Sequence, residues 1–188
     1  MDSRFDPFND RLARNIRNSL STALILELTR SEPDAVDRVA RGWERVQPAS
    51  EYLGYIRRAR ERYQRVCRDI RSLGLEDPRR QAVVLWNAGL FFELHELLET
   101  IWQGSRGAER LALKGLIQAA GAYVHSLRGK TNAAQGLAAR SRINLRKGRD
   151  CLSFIANVDR LIEALKQPAL APPHLVLAAT ARRNGMPK

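Results

Sequence analysis

Cysteine is nearly absent from this chain of 188 residues: Cys67 and Cys151 stand far apart, and neither has the spacing of a metal-ligand pair. Two distant thiols argue against a disulfide framework and for a reducing, cytoplasmic setting. Long apolar runs are missing too, so no segment is expected to cross a membrane. The opening residues Met1 to Pro7 lack an apolar segment behind a basic start, and no signal peptide is expected. Alternating β-branched residues, the mark of a half-buried strand, occur nowhere. No period of 20 to 50 residues repeats, which argues against a solenoid. Lysine is scarce as well: 5 lysines stand beside 27 arginines, so the net charge of +12 is carried almost wholly by guanidinium groups.

What the chain does have is helical period, nearly from end to end. Leu12, Ile16, Leu20, Leu24 and Leu28 recur four apart and predict an amphipathic helix over residues 9 to 30. The break Ser31-Glu32-Pro33-Asp34 starts a second helix to about Val46. Pro48-Ala49-Ser50 then breaks the chain, and Ser50 is placed to cap a long helix to Leu73. Gly74 ends it, Asp77-Pro78 opens another to about Ala88, and two strongly apolar helices follow. Thr131-Asn132 begins the next, to Lys147, and Asp150 is placed to cap a last one through Lys166. Pro168, Pro172 and Pro173 stop regular structure. The expected fold is all-α, a compact bundle of seven or eight helices. Residues 1–75 read as a helical extension packed on a core over 76–166, and 167–188 as a mobile, proline-containing basic tail.

The chemistry concentrates in Phe91-Phe92-Glu93-Leu94-His95-Glu96-Leu97-Leu98-Glu99, closed by Trp102. Ionisable groups inside so apolar a helix are costly unless something pairs or binds them. At a hundred degrees per residue, Leu90, Phe91, Leu94, Leu97, Leu98 and Ile101 crowd the core-facing arc. His95, Glu96 and Glu99 share the neighbouring arc, with His95 and Glu99 side by side at i and i+4. Glu93 lies at the opposite edge. Gly89 is placed to end the preceding helix in a left-handed conformation, with Asn87 beside it bonding free backbone groups.

The helix from Arg110 to Arg128 is apolar over more than half its circumference. One strip differs: Lys114, Gln118, Gly121, Ala122 and His125 share an arc, and Gly121 and Ala122 permit close approach. The turn Gly104-Ser105-Arg106-Gly107 is short enough for the two helices to pack antiparallel. If the strips face each other, His95, Glu96, Glu99, Gln118 and His125 converge on a polar pocket, with Trp102 at i+7 from His95 and Lys114 placed to meet an anion or to neutralise Glu96 or Glu99.

The run from Trp86 to Glu99, then Trp102, then Lys114-Gly115-Leu116-Ile117-Gln118 and Tyr123 to His125, resembles the DUF309 family. These are small all-helical proteins of unassigned function, sometimes catalogued as predicted metal-dependent hydrolases. Asn87, Gly89, Phe92, Glu93, His95, Glu96, Glu99, Trp102, Gly115, Gln118 and His125 match the family pattern. Trp86 departs from it at the aromatic before the asparagine. The resemblance covers residues 80 to 150. For an enzyme of that kind, His95 and Glu99 would be ligands of a divalent metal (zinc, manganese or iron), His125 a third, and Glu96 the base for a metal-bound water. Gln118, Trp102, Asn87, Glu93 and Lys114 would line the substrate side. Against this, the second histidine of an H-E-x-x-H helix is Glu99 here, and the di-iron Glu-x-x-His spacing fails at Phe92. The competing expectation makes the same residues a hydrogen-bonded network that docks two helices, or a small-molecule site without chemistry.

A strongly basic chain, with pI near 10.7, raises a separate class of function, because phosphate neutralisation alone binds nucleic acid. Arg57, Arg58, Arg60, Arg62, Arg65, Arg68 and Arg71 lie on the long third helix, opposite its apolar arc. A second group, Arg140, Arg142, Arg146, Lys147 and Arg149, follows the second motif helix. No aromatics interleave with either cluster, so the expected contact is nonspecific anion or nucleic-acid attraction rather than sequence readout.

Overall fold

The structure, a computed structural model, describes residues 5–29 and 32–179. Among them are α1 (Arg11–Thr29), α2 (Ala35–Arg45), α3 (Ser50–Ser72), α4 (Pro78–Asn87), α5 (Phe91–Trp102), α6 (Gly107–Leu127), α7 (Thr131–Lys147) and α8 (Val158–Ala164), with a 3-10 turn at Arg149–Leu152. The described residues hold no strand beyond one antiparallel bridge, Ile155 to Leu177. The protein is all-α, as its periodicity predicts. The chain divides into two compact units, Met1–Ile101 and Trp102–Lys188, so the boundary expected after residue 75 falls inside the first.

In the first unit α1, α2 and α3 pack on one another, and α4 packs on α1 and α3. The leucine repeat of α1 supplies Ile16, Leu20 and Leu24, all fully buried, joined by Ala13 and Ala23. α1 has no acidic residue in its first turn and no basic residue in its last. A charge favouring the helix dipole would add about 0.3–1 kcal/mol, whereas each buried Leu or Ile adds about 1.5–3 kcal/mol, so burial holds this helix. Ser50, the expected cap of α3, is instead its first residue, with Ala49 before it and no side-chain cap. Asp77 does cap α4: its carboxylate accepts the Arg79 N–H, with Pro78 at the first helical position. Gly74 and Gly89 both take positive φ, 60° and 67°. At Gly89 the N–H donates to Trp86 and the next N–H, of Leu90, donates back to Leu85, which closes α4 and aims α5.

The second unit is built on the pairing of α6 with α7. A Cβ added at Gly115 would lie 2.9 Å from the Leu145 backbone nitrogen, and one at Gly148 would lie 2.4 Å from the nitrogen of Ala112. These glycines let the two backbones nearly touch, and Ser141 Oγ seals the contact by donating to the Gly115 carbonyl at 2.7 Å.

The single helix expected from Asp150 through Lys166 is not formed. The 3-10 turn ends at Leu152, and α8 begins only at Val158. Between them, the Phe154 carbonyl accepts from Ala178 and the Ala156 N–H donates to Val176. The Asn157 side chain donates to the His174 carbonyl and accepts from the Val176 N–H. Backbone groups that a continuous helix would have used internally are thus spent on the segment after the prolines. That segment is pinned through Leu175, 2% exposed. The last residues of the expected tail, 180–188, lie outside the described residues.

Candidate functional site

α5 presents His95 between two carboxylates of its own helix. Nδ1 is 3.2 Å from Glu96 Oε1 and Nε2 is 3.3 Å from Glu99 Oε1. All three side chains are roughly two-fifths exposed, at 36%, 40% and 43%. Both ring nitrogens can donate at once only in the imidazolium, and the hydrogen bond to Glu96, with the charge of Glu99 behind it, raises the His95 pKa. The polar stripe read from the sequence is therefore self-contained, each ring nitrogen of His95 facing a carboxylate of its own helix.

Glu93 has a different setting. It is 5% exposed, in the first turn of α5, and accepts a very short hydrogen bond from the Tyr63 hydroxyl of α3. Burial raises its pKa, opposed by that hydrogen bond, by its own N–H and by the charges of Arg62 and Arg17. Burial also pushes the Tyr63 and Tyr55 phenols up, so both stay protonated donors. The Arg17 guanidinium of α1 sits 3.8 Å above the Phe92 ring. Helical period alone puts Tyr55 and Tyr63 on the apolar arc of α3 and does not single out Arg17. The available signal was chemical: a buried tyrosine hydroxyl needs a partner, and so does a carboxylate at the edge of a core.

In the second unit the strip on α6 meets α7. Gln118 Oε1 accepts from Asn144 Nδ2 at 2.8 Å, and a Cβ on Gly121 would lie 3.3 Å from Leu137 Cδ1. Lys114 is exposed. His125 is half-buried, and its Nδ1 is enclosed without a hydrogen-bond partner among the described residues. Trp102 carries the Arg110 guanidinium 3.9 Å above its ring, while Arg110 donates to the Trp102 carbonyl at 2.9 Å. Asn87, in the first unit, is the exposed last residue of α4.

A divalent metal needs neutral imidazole nitrogen and unshared carboxylate oxygen. His95 offers neither nitrogen freely, and its raised pKa favours the proton over a cation. Among the described residues no group of three His, Cys, Asp or Glu side chains is arranged to hold a metal ion. The donor set on α5 does not fit a simple metal centre.

The basic faces sort by partner. Arg60 turns inward to α2, 2.7 Å from Asp37 and 3.8 Å from Glu44, and is no part of an open surface. Arg62 donates to the Ala88 carbonyl at 2.7 Å, and Arg71 to that of Cys67 at 3.1 Å. Arg57, Arg58, Arg65 and Arg68 are exposed with no carboxylate partner among the described residues, although Glu61 and Asp69 share their arc. On the second unit Arg140, Arg146 and Lys147 are exposed, while Arg149 is held by Asp159 at 2.6 Å.

No helix among the described residues is long and apolar enough to cross a membrane. No curated protein and no solved structure matches the chain. Residues 79–137, from α4 through α5 and α6 to the first turns of α7, match the family model DUF309, a domain of unknown function.

Proposed function

We propose that the protein is a helical binding module for polyanions, with nucleic-acid phosphates as the target and the outer face of α3 as the contact. In this reading the His95-Glu96-Glu99 cluster is structural. The observation that carries it is the set of four exposed arginines along α3 that have no carboxylate partner among the described residues. From Arg57 to Arg68 the helix rises about 16 Å, a length over which a duplex presents several phosphates. Glu61 and Asp69 reduce the field without cancelling it. Arginine forks suit phosphate oxygens, and the net charge of +12 adds long-range attraction. The absence of interleaved aromatics among these arginines argues for backbone contact over base stacking.

Fluorescence anisotropy with labelled single-stranded RNA and duplex DNA tests this. The triple variant Arg57→Gln, Arg65→Gln, Arg68→Gln is expected to weaken binding about tenfold or more, with little preference for sequence. Equal affinity of the triple variant and the parent protein would end the proposal.

A further inference from the structure

A cleft of about 620 Å³ opens in the first unit beside the C-terminal ends of α1 and α3. That volume falls inside the range of small-molecule sites and exceeds what an ordered water or two would need. Its walls carry charge of both signs. Glu27, Arg71 and Glu76 all line it, and none forms an ion pair among the described residues.

Glu27 is held in place from two sides: Oε1 accepts the Val36 N–H at 2.8 Å, at the start of α2, and Oε2 accepts the Cys67 thiol at 3.4 Å. Burial, with the Glu27 charge beside it, pushes the Cys67 thiol up to about 12, so it remains a donor and adds no competing negative charge. Arg71 is fixed through Nε, which donates to the Cys67 carbonyl, leaving its terminal nitrogens for another partner. Leu28, Ile70 and Leu75 supply an apolar wall.

Gln81, which also lines the cleft, is 3% exposed. Its Nε2 donates to the carbonyls of Leu75 and Leu28, at 2.9 and 3.4 Å, which settles the orientation of the amide. Its Oε1 is then enclosed with no donor among the described residues. A buried acceptor left unmet is costly, and an N–H brought into the cleft by a ligand would satisfy it.

We propose that this cleft binds a small zwitterion of the amino-acid type. The ligand carboxylate would meet Arg71, its ammonium Glu27 and the Gln81 carbonyl, and its apolar body Leu28, Ile70 and Leu75. A molecule with one charge leaves either the guanidinium or the carboxylate of the cleft without a partner, so both ends are required.

Isothermal titration of the full chain with L-leucine and L-phenylalanine tests this, with isopentylamine and 4-methylpentanoate as single-ended probes. Saturable binding of the amino acids is expected, with either single-ended probe about tenfold weaker or worse. Arg71→Gln and Glu27→Gln should each weaken amino-acid binding about tenfold. The glutamine at position 27 keeps an acceptor for the Val36 N–H and so preserves the fold. Absence of saturable heat with both amino acids, equal binding of a single-ended probe, or unchanged binding in both variants would each overturn the proposal.

Discussion

In the first unit α3 and α5 meet through a buried glutamate and a tyrosine hydroxyl, whereas in the second α6 and α7 meet through glycine, alanine and serine. Both arrangements place polar atoms inside helical packing, by opposite means. Glu93 brings a charge that burial penalises, and needs Tyr63, its own N–H and two arginines around it. Gly115 and Gly148 bring nothing but space, and beside Gly115 the Ser141 Oγ goes straight to a backbone carbonyl. The first unit should therefore respond to pH and to loss of hydrogen-bonding groups, and the second to added volume.

The largest expected effect is steric. Gly148→Ala sets a Cβ against the Ala112 backbone, which cannot swing aside as a side chain would. A loss of about 3 kcal/mol is expected in chemical denaturation of the full chain. A loss below about 0.5 kcal/mol would show that α6 and α7 can part at little cost.

Next is Tyr63→Phe, which strips the donor from a buried carboxylate and should cost about 2 kcal/mol. The same site sets a pH dependence. The folded pKa of Glu93 is raised above its usual 4.5, so its contribution is full below that value and is lost as pH rises through the folded pKa. Stability from this group falls with rising pH, and Glu93→Gln, which can still accept from Tyr63, should flatten that decline. An unchanged pH profile in this variant would remove Glu93 from the account.

The smallest effect belongs to His95. Its raised pKa gives stability that is full below the usual 6.5 and lost as pH rises through the folded value. With side chains about two-fifths exposed, solvent screening holds the pair interactions to less than about 1 kcal/mol. His95→Gln should erase the step while leaving the fold intact. A loss comparable with that of Tyr63→Phe would mean that the cluster bears more of the fold than its exposure allows.

Much of the architecture was readable because it rests on local rules. The four-residue leucine repeat, the Asp77-Pro78 start and the Gly74 and Gly89 stops all act within a turn or two of their own position. The break of the last helix was not readable, because it depends on Asn157 and the 154–156 backbone pairing with residues about twenty positions on. The site divides the same way. His95, Glu96 and Glu99 share one helix, and spacing sufficed to place them together. Gln118 was assigned to the neighbouring motif strip, yet its amide oxygen is taken by Asn144 of α7, a tertiary choice that helical period does not encode. Arg60 and Arg57 look alike in sequence, and packing against Asp37 makes one a structural ion pair and leaves the other open.

The proposed arginine contact is tested most directly by the salt dependence of RNA binding, comparing the parent with the triple variant Arg57→Gln, Arg65→Gln, Arg68→Gln. Each phosphate contact on a single strand contributes about 0.7 to the slope of log affinity against log salt, so losing three should reduce its magnitude by about 2. Parallel lines for the two proteins, whatever their absolute affinities, would contradict a phosphate-binding role for α3.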